Sequence, residues 1–168
     1  MKKYQIVIMM VLAALLAGCS SQPVFEQVTD QIIAPVSVQM RQLEIVLPEE
    51  AAKPTLTGDV GNEIYVCNGY TVSVQTMDGG DLNATMRALT GFSREQLTVM
   101  ETERSDFKRY DCVWSTAGEG GDHVARAVIL DDGYYHYAVT VMADFASAGE
   151  LTRTWKTILD SVSLKSID

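Results

Sequence analysis

Long apolar runs are scarce in this chain. The longest, Ile6 to Ala17, has 12 residues. As a helix it reaches about 18 Å, against the roughly 30 Å of a bilayer's hydrocarbon core. A mature transmembrane helix is therefore not expected. Positive charge is also in short supply: 13 Lys and Arg stand against 22 Asp and Glu, a formal charge of −9. Nucleic-acid binding rests on cations that neutralise phosphates, so that class of partner is excluded. A polybasic grip on anionic lipid heads is excluded by the same shortage. Only two histidines and three cysteines occur, in neither His-x-x-x-His nor Cys-x-x-Cys spacing. That leaves no basis for a zinc site. Gly-x-Ser-x-Gly and His-Glu-x-x-His are absent as well, and no cofactor is expected.

What is present begins at the N-terminus. Lys2 and Lys3 precede the apolar run, and the small residues Ala17 and Gly18 follow it, which is the layout of a secretory signal peptide. Leu16-Ala17-Gly18-Cys19 resembles the lipobox of bacterial lipoproteins. The resemblance implies cleavage between Gly18 and Cys19 and a diacylglyceryl thioether on the Cys19 sulfur. An ordinary signal peptide with an incidental cysteine is the plainer alternative. Two or three acyl chains give stable membrane anchoring where one would not. Removing residues 1–18 takes Lys2 and Lys3 away and moves the charge to −11. The expected setting is the extracytoplasmic side of a cell membrane or outer membrane, held by the lipid on Cys19.

With Cys19 assigned to lipid, Cys67 and Cys112 remain as an even pair in an exported chain and form a candidate disulfide. Two free buried thiols are the alternative. Residues 19–36 read as a tether, interrupted by Pro23 and Pro35. Residues 37–168 are long enough for one domain with a sizeable core.

Alternation across Val36, Val38 and Met40, and the run Leu43 to Leu47, suggest strands before the Pro48–Pro54 loop. Ile64–Cys67 and Tyr70–Thr76 are β-rich and flank Asn68-Gly69, a hairpin signal. Leu82, Met86, Leu89 and Phe92 share one helical face, with Asp81 as N-cap and Gly91 at the end. Ser93-Arg94-Glu95-Gln96 fits a capping box. Four runs near 97–103, 107–115, 124–130 and 134–142 then form a meander with short polar turns. Tyr110, Cys112 and Trp114 share one face of their strand, and Tyr135, Tyr137, Val139 and Val141 one face of theirs. Both faces are expected toward the core. A last helix, opened by a capping box at Ser147, carries Leu151, Trp155, Ile158, Leu159 and Val162 as a stripe to cover the sheet.

The fold class is thus α+β: an antiparallel sheet with a central helix and a C-terminal helix packed on it. This element order, with the closing Ile158-Leu159-Asp160-Ser161-Val162, resembles the PsbP-like fold over roughly residues 37–168. That fold is shared by an extrinsic photosystem II protein, a Ran-binding import factor and many bacterial lipoproteins of unknown role. The resemblance implies an α/β/α sandwich and carries over no functional residue.

Turn and cap duties account for Asp78-Gly79-Gly80-Asp81 and Asp131-Asp132-Gly133, neither of which matches a calcium loop. His136 is expected to be partly exposed, on the strand face opposite Tyr135 and Tyr137. Two functions follow. One is a non-catalytic accessory module that binds an envelope protein. The other is an envelope enzyme or small-ligand receptor, with a pocket between sheet and C-terminal helix gathering His136, Asp132 or Glu101.

Overall fold

Seven strands, lying across the sheet in the order 56–57, 63–66, 71–78, 135–144, 121–131, 108–118 and 98–103, make one antiparallel sheet. The structure, a computed structural model, describes residues 38–51, 53–58, 61–118 and 121–165. The signal peptide 1–18, the site at Gly18 and Cys19, and the tether 19–36 lie outside the described residues. Val38–Asp168 forms one unit. Among the described residues no helix is long and apolar enough to cross a membrane.

The path begins with a short irregular stretch at 38–42 and β1 (Leu43–Glu44), then a 3₁₀ turn at Glu49–Ala51. Of the two strands expected before Pro48, the described residues retain only β1. Strands β2 (Leu56–Thr57), β3 (Glu63–Val66) and β4 (Thr71–Asp78) form one side of the sheet. The Asn68-Gly69 turn joins β3 to β4 as expected: Gly69 has φ +83°, and Cys67 N–H donates to Tyr70 O at 2.9 Å. Few residues other than glycine adopt that conformation without strain.

The chain then crosses one sheet face as α1 (Leu82–Thr90) and enters β5 (Thr98–Glu103) at the far edge. Asp81 caps α1 by accepting from Asn83 N–H at 2.9 Å. Gln96 Oε1 accepts from Ser93 N–H at 2.9 Å, fixing a single 3₁₀ turn at Arg94–Gln96. The meander returns through β6 (Lys108–Gly118), β7 (Gly121–Asp131) and β8 (Tyr135–Asp144), ending beside β4. At that junction Gly79 N–H donates to Tyr134 O at 2.7 Å, and a Cβ on Gly79 would lie 2.6 Å from that carbonyl. Only glycine permits so close an approach.

The C-terminal helix α2 (Ala148–Asp160) packs on the other face, followed by β9 (Ser163–Leu164), which pairs with β1. Its stripe is as expected: Trp155, Ile158, Leu159 and Val162 are buried, and Leu151 packs against them. Ser147 differs. Its backbone is already helical and its side chain makes no cap bond, so no capping box forms there. The segment from Val38 to Leu47 reinforces this side. The Arg41 guanidinium binds Asp106 at 2.7 Å and Lys165 O at 2.9 Å, and Val46 N–H donates to Ser161 Oγ at 2.9 Å.

The sheet therefore has a core on each face. Tyr65, Val72, Val128, Leu130, Tyr137 and Val139 meet α2. Met86 of α1 meets Tyr110, Ile129 and Ala138 on the opposite side. Tyr110 and Tyr137, both expected to face the covering C-terminal helix, thus serve different cores. β7 and β8 are buried on both faces, which is why Val128, Ile129 and Leu130 run consecutively apolar.

Candidate functional site

The disulfide expected between Cys67 and Cys112 is ruled out. Both are free. Cys67 follows β3 and Cys112 lies within β6, so β4, β8 and β7 stand between them. Four inter-strand steps of about 4.8 Å separate β3 from β6, far beyond the roughly 7 Å Cα limit of a disulfide. Burial pushes the Cys112 thiol up to about 11 and raises Cys67 as well, so neither is an activated nucleophile.

His136 also departs from expectation. It is 0 % exposed, because α1 covers its face of β8. Its Nδ1 shares a 2.7 Å hydrogen bond with Thr85 Oγ1 of α1. Its Nε2 is buried without a partner among the described residues and lies 3.7 Å from Asp131 Oδ2, outside hydrogen-bond reach. A Thr-His-Asp series suggests a nucleophile and base, but Thr85 is itself buried. The Thr85–His136 bond pins α1 to the sheet.

Asp132 is engaged in the β7–β8 turn. Its Oδ1 accepts from Tyr134 N–H at 2.9 Å and Tyr135 N–H at 2.8 Å, and its Oδ2 accepts from Tyr137 O–H at 3.0 Å. Glu101 sits on β5, paired with Arg94 at 2.9 Å. His136, Asp132 and Glu101 thus occupy three separate places, and no cleft gathers them. His123 lies on β7 with Nδ1 3.0 Å from Asp144 Oδ1, at the partly exposed end of the sheet. Among the described residues no three His, Cys, Asp or Glu side chains are grouped as a metal site would require.

The most distinctive surface is the half of the α1 face that α1 leaves open. Strand register places two rows there. One runs Leu56, Ile64, Ser73, Thr140, Ala127 and Cys112 across β2 to β6. Beside it, Val66, Thr71, Met142, Ala125 and Trp114 run from β3 to β6. Alanines and Cys112 hold the centre low, while larger apolar side chains stand around them. Val66 is 55 % exposed, Leu56 61 %, and Met142 41 %, with Ile64 close behind and Trp114 half-buried. No carboxylate or lysine interrupts either row. The sequence pattern marked Trp114 only as core, since a half-covered strand alternates in the same way as a covered one.

A second concavity lies on the opposite face, between β5, β6 and the outer side of α2, with a volume of about 370 Å³. Thr98, Met100 and Val113 form its floor and Leu159 its wall. It occupies the position expected for a pocket between sheet and C-terminal helix, with different residues.

No known protein family and no curated protein sequence matches this chain. Solved structures similar to it in shape include two bacterial proteins. A protein of Bacteroides thetaiotaomicron shares 9 % identity over 74 % of this chain, with a TM-score of 0.49, and the chain spans only 45 % of its length. LpqN, involved in cell envelope biogenesis of Mycobacterium tuberculosis, shares 8 % identity with a TM-score of 0.48, over 76 % of this chain and 85 % of LpqN. At such identities and TM-scores the likeness assigns neither family nor activity.

Proposed function

We propose that this protein is a lipid-anchored lipoprotein of the cell envelope whose domain is a non-catalytic, protein-binding module. The observation that carries the reading is the open half of the α1 face, two adjacent rows of apolar and small side chains without a charge. Exposed apolar patches of this kind mark interaction surfaces in soluble domains. Trp114 and Met142 are the residue types that anchor interfaces, and the low centre at Ala125 and Ala127 offers room for a partner's side chain. The partner is an envelope protein presenting a complementary apolar helix or strand face. The lipobox at Leu16-Ala17-Gly18-Cys19 supports the anchor, and the acidic composition leaves attachment to the lipid on Cys19 rather than to surface charge.

The test is photo-crosslinking in native membranes. A benzoylphenylalanine at Met142 of the full chain should give discrete adducts, while the same group at Lys156, on the opposite side, should not. Equal labelling from both positions, or none from Met142, rejects the surface. The anchor is tested separately. Palmitate incorporation should vanish in Cys19→Ala, and persistent label rejects lipidation at that residue.

A further inference from the structure

On the α2 side the sheet extends past the helix, and the cleft at β5 and β6 carries an imbalance of charge. Two pairs of opposite charge and one unpaired cation stand at its rim. Asp111 is held by Arg109 through two bonds of 2.8 Å each. Lys156 pairs with Asp160 one helical turn away. Arg126 alone has no carboxylate within salt-bridge distance among the described residues, although it is half-buried and lines the cleft. It sits in one row with Thr98 and Val113, which forms an apolar path from the guanidinium to the sheet edge. Met100, 63 % exposed, and Val113, 44 % exposed, leave that path uncovered.

An unpaired guanidinium at the inner end of an apolar groove is suited to a ligand with an anionic head and an aliphatic tail. The volume, about 370 Å³, falls at the small end of ligand sites, which suits one chain rather than two. Asp111 and Asp160 decide between head groups. Both are already engaged, by Arg109 and Lys156, which leaves Arg126 as the one uncompensated charge at the cleft among the described residues, so a monoanionic carboxylate is matched and a dianionic phosphate is not. We propose that this cleft binds a single-chain carboxylate amphiphile of the fatty-acid class, its head on Arg126 and its tail over Val113 and Met100. The site is distinct from the open α1 face, since the sheet lies between them.

The experiment uses the full chain in lipid nanodiscs, titrated with decanoate labelled with ¹³C at the carboxyl carbon and followed by NMR. Empty nanodiscs supply the reference. Saturable binding beyond that reference is expected, weakened at least tenfold by Arg126→Gln. Val113→Asp, at an exposed position where folding should be untouched, should weaken it similarly by placing a second anion along the tail's path. Circular dichroism confirms that both variants are folded. Binding that survives unchanged in both variants, or that empty nanodiscs reproduce, overturns the site. Decanol competing as well as decanoate overturns the role of Arg126, and decyl phosphate binding more tightly overturns the carboxylate.

Discussion

The two faces of the sheet solve the same problem to different extents. On one side α2, 13 residues long, and the segment from Val38 to Leu47 together bury an aromatic and aliphatic core. On the other, α1 has 9 residues and reaches only the rows nearest the β7–β8 turn. The better-covered face supplies most of the buried area, and with it most of the stability. The half-covered face keeps apolar side chains in water that a domain evolved for stability alone would cover or replace. Stability and recognition are thus divided between the sides.

Trp155 tests this division most severely. Its ring is 1 % exposed at the centre of the larger core. Trp155→Ala should cost about 3–5 kcal/mol. That lowers the thermal midpoint by roughly 10 °C or more. Trp155→Phe should cost clearly less, because the indole N–H it removes is buried without a partner among the described residues. Equal losses in the two variants would show that the N–H is satisfied after all. A midpoint unmoved by Trp155→Ala would mean that α2 contributes little.

High pH sharpens the same contrast. Burial, followed by the neighbouring Glu63, pushes the Tyr65 phenol up to about 12. Burial does the same for Tyr137, opposed by the Arg41 backbone N–H and aided by Asp132, again to about 12. Both lie on the α2 side. A phenol whose pKa rises on folding stabilises the fold fully below its unfolded value near 10, and that contribution is lost as pH climbs through 12. Denaturant midpoints should hold steady to about pH 10 and then fall. Tyr137→Phe should start lower and fall less steeply. An identical slope in that variant would remove Tyr137 from the explanation.

On the α1 side the corresponding probe is Thr85→Val. It keeps the shape and removes the hydroxyl that satisfies His136 Nδ1, leaving both ring nitrogens buried without partners among the described residues. The expected loss is about 1–3 kcal/mol, smaller than for Trp155→Ala. Protection of α1 amides in hydrogen exchange should fall first, ahead of those in α2. Uniform loss across both helices would contradict the role of Thr85 as a local pin.

Much of this architecture was legible in the residues. The stripe from Leu151 to Val162 and the alternation from Tyr135 to Val141 each obey one period, so element type and covered face follow directly. What was not legible depends on strand order. Nothing local to β4 says that it pairs with β8 rather than β5, and only the full strand order shows that β3 and β6, which a Cys67–Cys112 bond needs side by side, are never neighbours. The misplaced exposure of His136 has the same root: a central strand covered on both sides hides its polar positions as completely as its apolar ones. The candidate surface was obscured because openness is set by where α1 stops. Trp114 and Tyr110 are equivalent in sequence pattern, yet only Tyr110 lies under the helix.

That last distinction gives the smallest expected effect on stability. Met142→Ser and Val66→Ser remove side chains already 41 % and 55 % exposed, so each should shift stability by no more than about 0.5 kcal/mol. Ala138→Ser, four residues from Met142 along β8 but beneath α1, places a hydroxyl in the closed part and should cost more. A melt comparing the three separates open from closed rows without any partner present. If Met142→Ser and Val66→Ser lose as much as Ala138→Ser, those rows belong to the core and the domain has no face to spare. If they are neutral while crosslinking from that surface is lost, apolar side chains that do nothing for the fold are there for what the fold holds.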